Sequence, residues 1–596
     1  MTVLPDDGLE LAGEFPDVPH EQWQRLVADV LRKTGKDVEG DAAEDALSTA
    51  LEDGLRTRPL YTARDTAPAP GLPGFAPYTR GSRAEGNTNG GWDVRQCHTV
   101  PDKDAVLTDL ENGVTSLWLS GIPVADLAAT LDGVYLDLAP VILDAGAETA
   151  PAARELLHLY DARGVAKNAV RGNLGADPLA HEARTGASAD IPAASLARLC
   201  AEEYPGLRAL TVDALPYHEA GGSAAQELGT SLATAVAYLR DLTEAGLSAE
   251  QAAAQLEFRY AATADQFLTM AKLRAARRLW SRVTEVCGAS GAGGQVQHAV
   301  TSSVMMTRRD PWVNMLRTTV AALAAGTAGA DAVTVLPFDH ALGLPDAFSR
   351  RIARNTSTVL IEESYLARVV DPAGGSWYVE RLTDELAHAA WEFFQGIERD
   401  GGMATALRSG RLADDLAATW EARSKRLAHR REPVTGVSEF PHLTEKPVTR
   451  TPAPAPLSGG LPRVRRDEAF EALRARSDAH LAETGSRPRV YLAALGPASA
   501  HSARLVFAAG LFEAGGIEVV SEGSFQESGT TEACLCSSDA VYGEKAASTA
   551  EALRSEGAAH VSLAGRGEYP GIDSYVFAGC DAVGVLSAAL DRLGVS

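Results

Sequence analysis

Short runs of β-forming residues that alternate with amphipathic helical stretches constrain this chain more than any other feature. Ser116 to Leu119, Val134 to Asp137, Ala209 to Asp213 and Ala332 to Leu336 each read as a strand followed by turn and helix signals. Alternation of this kind sets consecutive strands parallel, because a parallel neighbour needs a crossover long enough to hold a helix. The longest helical stretches, Ala224 to Ala245 and Ala249 to Val286, fall inside this region. The region is large enough for an eight-stranded barrel with its outer helices.

On either side the pattern changes. From Pro16 to Leu55 the spacing of Trp23, Leu26, Val27, Val30 and Leu31 predicts helix. The Pro/Gly-rich stretch Ala67 to Tyr78 cannot continue it and reads as an extended arm. Between Gly401 and Arg489 the composition turns charged and helical, then breaks at Pro433, Pro441 and Thr451-Pro-Ala-Pro-Ala-Pro456, as a linker with stiff segments does. A second βαβ series starts at Arg489 to Ala493, with Gly516 to Val520, Ala533 to Cys536, His560 to Leu563 and Ala582 to Gly584 as further strands. It predicts a compact doubly wound domain. The expected organisation is residues 1–80 as helical segment and arm, 81–400 as barrel, 401–488 as linker and 489–596 as the second domain.

A formal net charge of −24 repels phosphate backbones and anionic lipid, so nucleic acid and membrane surfaces are not expected partners. The acidic start Met1-Thr-Val-Leu-Pro-Asp-Asp7 lacks the cationic region of a secretory signal, and six scattered cysteines do not make a disulfide framework. A cytoplasmic location fits. Cys534-Leu-Cys536 has no His/Cys partners at zinc-like spacing and reads as small buried thiols, so no metal site is expected.

Three segments carry a family resemblance: Gln266-Phe-Leu-Thr-Met-Ala-Lys-Leu-Arg-Ala-Ala-Arg-Arg-Leu-Trp280, Phe348-Ser-Arg-Arg-Ile-Ala-Arg-Asn-Thr356 and Arg368-Val-Val-Asp-Pro-Ala-Gly-Gly-Ser-Trp-Tyr-Val-Glu380. The first is an amphipathic helix; in the last, Asp371 to Ser376 reads as a turn that starts a strand at Trp377. Together they resemble the cobalamin-dependent acyl-CoA mutases over about Gly54 to Gly402, with a weaker match from Arg489 onward. The resemblance implies a (β/α)8 TIM barrel followed by a flavodoxin-like, cobalamin-binding-type domain.

The same resemblance marks where the chain departs from a working mutase. In that family, adenosylcobalamin supplies a radical, and the protein binds, orients and shields it. Trp92-Asp-Val-Arg-Gln96 is intact, but Cys97 stands where the family has an aromatic hydroxyl. A thiol would quench an organic radical; a small core cysteine on a barrel strand is the plainer reading. In Gln297-His-Ala-Val-Thr-Ser-Ser303, His298 is kept while Val296 and Val300 replace the family's Arg and Gln. Two valines cannot hold a substrate carboxylate as a guanidinium fork does. Tyr217-His218 resembles the pair whose histidine bonds the thioester carbonyl, but Gly175 to Pro192 offers no clear second substrate Arg.

In the C-terminal domain the family's Asp-x-His-x-x-Gly turn becomes Ser499-Ala-His501-Ser-Ala-Arg504. The histidine stays, its orienting carboxylate becomes a hydroxyl, and the glycine becomes a large cation. Loss of such outer contacts weakens metal affinity by about 10–100-fold. Cys536-Ser-Ser-Asp-Ala540 and Leu563-Ala-Gly-Arg566 lack the leucine and second glycine that wrap the cofactor's nucleotide tail. Cys97, His218, Val296, His298 and Val300 are therefore expected to be vestigial, and Ser499, His501 and Arg504 a degenerate cobalamin motif.

The chain thus resembles the small subunits of heterodimeric, adenosylcobalamin-dependent methylmalonyl-CoA mutases. That resemblance implies cofactor and catalysis on a large partner subunit, with the arm from Leu55 to Tyr78, carrying Tyr61, Phe75 and Tyr78, wrapping that partner, and leaves room for a residual CoA ester here. Two rivals stand beside it: a self-sufficient acyl-CoA mutase of altered specificity, and a non-enzymatic CoA-binding scaffold.

Overall fold

The computed structural model describes residues 16 and 18–595, so the acidic start of the chain lies outside the described residues. Within the expected N-terminal helix two short ones form, His20–Lys33 and Asp41–Leu47, followed by a minimal antiparallel pairing of Thr49–Ala50 with Arg56–Thr57. The helical pattern breaks at Gly35 and Gly40, both at positive φ, where the chain reverses. Ala28, Leu31 and Ala43 form the apolar contact between the two helices and Glu44 is buried beside them, bonded to His20 and Gln24, while Leu26 and Val30 face solvent.

The arm carries no helix and lies against its own barrel. Tyr61 packs on Tyr378 with ring centroids 5.0 Å apart, and Arg277 donates to the carbonyls of Tyr78 and Thr79. Phe75 stays exposed.

The barrel is built from β1 (Asp93–His98), β2 (Ser116–Ser120), β3 (Val141–Asp144), β4 (Gly172–Ala176), β5 (Leu207–Asp213), β6 (Leu256–Ala262), β7 (Gln297–Thr301) and β8 (Ala332–Thr334). All neighbours are parallel, and β8 pairs back onto β1 to close the ring. Alternation on β6 shows how it fills. Phe258 packs outward on Trp280 of the helix Gln266–Val286, 4.9 Å between rings. Glu257 and Arg259 between the apolar positions enter the axis, where Arg95 of β1 meets Glu257 and Arg259 meets Asp213 of β5.

Several expected elements differ. Val134 to Asp137 is a turn; the strand is the following Val141–Asp144, released after Pro140. The run Ala249 to Val286 is helix, strand and helix, because its two charges at alternate positions belong to the barrel axis rather than to a helix face. Trp377 begins the helix Trp377–Arg399 rather than a strand. Ser376 caps it by accepting from the Val379 amide, and Glu380 accepts from the Gly375 amide. Ala582 likewise starts the helix Ala582–Arg592, with Asp581 accepting from the Gly584 amide, and the fifth strand of that domain is Ser574–Val576.

Residues 401–488 bridge two cores. On the helix Arg411–Ala428, Leu412 and Leu416 join the barrel core while Leu427 joins that of the C-terminal sheet. That sheet holds β9 (Arg489–Ala494), β10 (Glu518–Val520), β11 (Glu532–Cys536), β12 (His560–Ala564) and β13 (Ser574–Val576), all parallel, in the order β10-β9-β11-β12-β13. A separate apolar cluster covers each face, as a parallel sheet requires. No helix among the described residues is long and apolar enough to cross a membrane.

Candidate functional site

Ligands of a closed parallel barrel bind where the strands end, among the loops that follow them. In this chain that mouth is occupied by its own side chains. Arg259 of β6 is buried, donates from Nη1 to Asp213 at 3.0 Å, approaches Asp144 at 3.5 Å and lies 4.1 Å over the Trp118 ring. Arg184, on the helix Pro178–Thr185 after β4, donates from Nη2 to the same Asp213 oxygen, Oδ2, that accepts from Arg259. Burial pushes the Asp213 carboxyl up, but Arg184 and Arg259 hold it below the usual carboxylate range. Asp177 takes the opposite course: burial and the neighbouring Asp213 push it up to about 7.

Sequence reasoning missed this network. Its signal is faint but present: Glu257 and Arg259 sit at alternate positions of an otherwise apolar strand, and Asp213 closes another. An arginine does stand in the 175–192 segment, yet Arg184 is already committed to Asp213.

The expected site residues fall at three depths. His298 of β7 is fully buried on the axis. Arg259 Nε donates to its Nδ1 at 3.2 Å, so Nε2 carries the proton and donates to Thr334 Oγ1 at 2.8 Å. Burial, with Arg95 and Arg259 nearby, holds the imidazole well below its ordinary pKa and keeps it neutral. Four residues further along, at about 3.3 Å per residue, Ser302 reaches the mouth, where its Oγ lies 2.7 Å from His218 Nε2. His218 Nδ1 faces Glu227, which also accepts from Lys272 and from the Ala261 amide. Both ring nitrogens of His218 are thus engaged within the protein.

Cys97, the penultimate residue of β1, lies beside Asp144 and Arg259; burial and then Asp144 push its thiol up to about 12. Val300 is buried on β7, whereas Val296 precedes that strand at the opposite end of the barrel and does not join the mouth.

A strap completes the closure. The Leu344 amide, after β8, donates to Thr451 O, and the Leu461 amide donates to Ala183 O, after β4. Strands β4 and β8 are diametrically opposed in an eight-stranded ring, so the Pro-rich run 451–461 crosses the mouth. Its far end is fixed by Arg463, which donates twice to Glu219. Beneath Leu457 remains a cavity of about 20 Å³, lined by Asp144, Asp177, His181, Arg184, Asp213 and Arg259. That is room for about one water, against roughly 300–1,000 Å³ for a small-molecule site.

A second crevice lies in the C-terminal domain at the carboxyl ends of β9 and β11, where the strand order reverses. The expected turn from Ser499 to Arg504 is instead the opening of the helix Ala498–Ala514. His501 Nδ1 is buried without a partner, and Ser499 is exposed. Arg504 fills the crevice: Nη2 donates to Asp539 at 2.6 Å, the guanidinium lies 5.2 Å from the Tyr542 ring, and a side chain at Gly565 would meet Nη1 at 2.6 Å. Cys534 and Cys536 are both buried. No group of three or more metal-ligating side chains occurs among the described residues.

Fold and mouth together define an α/β-barrel protein of enzyme architecture, joined to a parallel-sheet domain. A family model described as methylmalonyl-CoA mutase matches residues 102–484. The methylmalonyl-CoA mutase small subunit of Streptomyces virginiae is 70% identical, with 100% of both chains covered. That of Propionibacterium freudenreichii subsp. shermanii is 39% identical over 99% of this chain and 97% of its own. The methylmalonyl-CoA mutase of Escherichia coli is 30% identical over 67% of this chain and 61% of its own. The chain belongs to the methylmalonyl-CoA mutase family.

Proposed function

We propose that this chain is the small, non-catalytic subunit of an adenosylcobalamin-dependent methylmalonyl-CoA mutase, an isomerase whose large subunit binds the cofactor and interconverts methylmalonyl-CoA and succinyl-CoA. The observation that carries the reading is the self-satisfied mouth. Arg184, Asp213, Arg259 and His298 answer one another's hydrogen bonds and leave about 20 Å³ under the strap. End-to-end similarity to chains named as small subunits supports it from the other side.

The C-terminal sheet, in its 2-1-3-4-5 strand order, is a flavodoxin-like domain of the cobalamin-binding type that has lost its ligand. Its residues do not fit the cofactor. The unpartnered Nδ1 of His501 lacks the carboxylate that would orient it, and Arg504 occupies the crevice. No step of the reaction is assigned to this chain. We divide it as arm (1–80), barrel (81–400), bridge (401–488) and degenerate domain (489–596).

The test is affinity purification of the tagged chain from its own cells, with visible absorbance and methylmalonyl-CoA turnover recorded on the eluate. A larger homologue co-eluting stoichiometrically with cobalamin and activity, both absent from the isolated chain, is the expected result. A lone chain that is coloured and active would overturn it. A lone, colourless chain would favour a scaffold without a mutase partner.

A further inference from the structure

Where the C-terminal domain meets the barrel, two buried carboxylates share both of their partners. The helix Glu468–Thr484 puts Phe470 and Leu473 into the core of the C-terminal sheet, and its start meets the loop that follows β7. There the Arg308 amide donates to Asp467 Oδ2 at 3.2 Å and to Glu471 Oε1 at 2.8 Å. Arg465, just ahead of the helix, donates from Nε to Asp467 Oδ1 at 3.2 Å and from Nη2 to Glu471 Oε2. Asp467 is fully buried and Glu471 nearly so. Two ionised carboxylates held this close out of water, with one guanidinium between them, leave a buried charge without a counter-charge. One proton held between them removes that charge and turns one carboxyl into a donor to the other.

The electrostatics agree with that geometry. Burial, then the hydrogen bond and charge of Glu471, push the Asp467 carboxyl up to about 8. Burial raises Glu471 too, but the bond it receives from Asp467, with Arg465 and the Arg308 amide, brings it below its ordinary value. From the barrel side the pair faces the cations of Arg308 and Arg317, with Asp310 beside the latter. On the helix, Glu468 faces Arg465, and Arg466 is taken up by Glu432 of the bridge. His340, after β8, faces Arg465 and is held below its ordinary value by burial, so it stays neutral above pH 6.5. Further along the helix, Arg309 of the same loop pairs with Asp478, a contact that needs no proton.

We propose that Asp467 and Glu471 form a proton-dependent latch between the barrel and the C-terminal domain: with one proton shared, the start of the helix is fastened to the loop after β7, and loss of that proton frees it. Arg309 and Asp478 hold the rest of the helix, so the release is local. The latch is independent of the small-subunit reading. Its sign follows from Asp467, whose folded value is raised: the fastening is fully present below the unfolded value of about 4 and is lost as pH rises through the folded one. Over that range each pH unit favours the open form by up to about tenfold.

The experiment is amide hydrogen exchange on the full chain at pH 6, 7 and 8, corrected for the intrinsic rate at each pH. It reads two amides that bond across the junction, Arg308 to the carboxylate pair and Arg466 to Val304 O. In the wild type we expect their protection to fall about tenfold per pH unit, and at pH 8 both to exchange well before the amides of β11. Asp467→Asn keeps a donor toward Glu471 but has no proton to lose, so the slope should vanish. Glu471→Gln removes the neighbouring charge and should flatten it by the opposite route, which decides the matter if the first variant does not fold. Protection that is independent of pH in the wild type, or that falls equally steeply in whichever variant folds, overturns the latch. Junction amides that exchange only together with β11 at pH 8 overturn the local release.

Discussion

Arg259 is the side chain on which the closed mouth depends, and Arg259→Met isolates its contribution. Methionine keeps much of the aliphatic stem but removes the guanidinium that lies over Trp118, the hydrogen bonds to Asp213 and to His298 Nδ1, and the approach to Asp144. Removing one partner of a buried ion pair costs about 3–5 kcal/mol because the other charge is left uncompensated. Here Arg184 still holds Asp213, which puts the expected loss at the lower end, about 3 kcal/mol. The sign of its pH dependence follows from Asp213. Burial raises this carboxyl, but Arg184 and Arg259 outweigh it and hold the folded value below the unfolded one. Its stabilisation is therefore fully present above the unfolded pKa of about 4 and is lost as pH falls through the folded value. Urea unfolding at pH 7, followed by far-UV circular dichroism and tryptophan fluorescence, should show the full deficit, and the deficit should shrink in acid near pH 3.5. A loss under about 1 kcal/mol, or one of equal size at both pH values, would refute the claim that this network holds the mouth.

Three further outcomes follow from the same geometry. Arg504→Ala should cost about 1 kcal/mol or less, since its pairing with Asp539 is partly exposed, and should leave the protein colourless after incubation with hydroxocobalamin; a stoichiometric visible spectrum would contradict a crevice lacking more than one requirement. Cys97→Tyr should yield no mutase turnover from the isolated chain and should destabilise by about 1–3 kcal/mol, because a phenol must enter a mouth with about 20 Å³ to spare. His98, held down to about 4 by burial and then Arg350, stays neutral in the fold where the unfolded chain binds a proton. Its contribution is present above the unfolded value near 6.5 and is lost as pH falls toward 4, so His98→Gln should flatten the rise in urea stability between pH 4.5 and 7, and an unchanged slope would count against it.

How much of this was legible in the sequence depended on whether the signal was local. The strands at Ser116–Ser120, Leu207–Asp213 and Ala332–Thr334, and four of the five in the C-terminal sheet, announce themselves by short apolar runs between turns. Strand β6 does not, because Glu257 and Arg259 inside it make sense only beside Arg95 and Asp213, which are far away in the chain. Trp377 looked like a strand start until Ser376 proved to be a helix cap, a difference of one side-chain hydrogen bond. The family positions Cys97, His218, His298, Val300 and Arg504 were found by resemblance, and what replaced their chemistry was not. Arg184 and the strap come from segments some 270 residues apart and meet only when β4 and β8 stand on opposite sides of the ring. A mouth that must admit a substrate leaves polar groups for that substrate to satisfy. Here Asp213, Arg259, His298 and His218 are each answered from within, so binding would have to break buried ion pairs and lift the strap before making any contact of its own. That cost weighs against a small-molecule site at this mouth, where the buried pairs and the strap already occupy the positions a ligand would take.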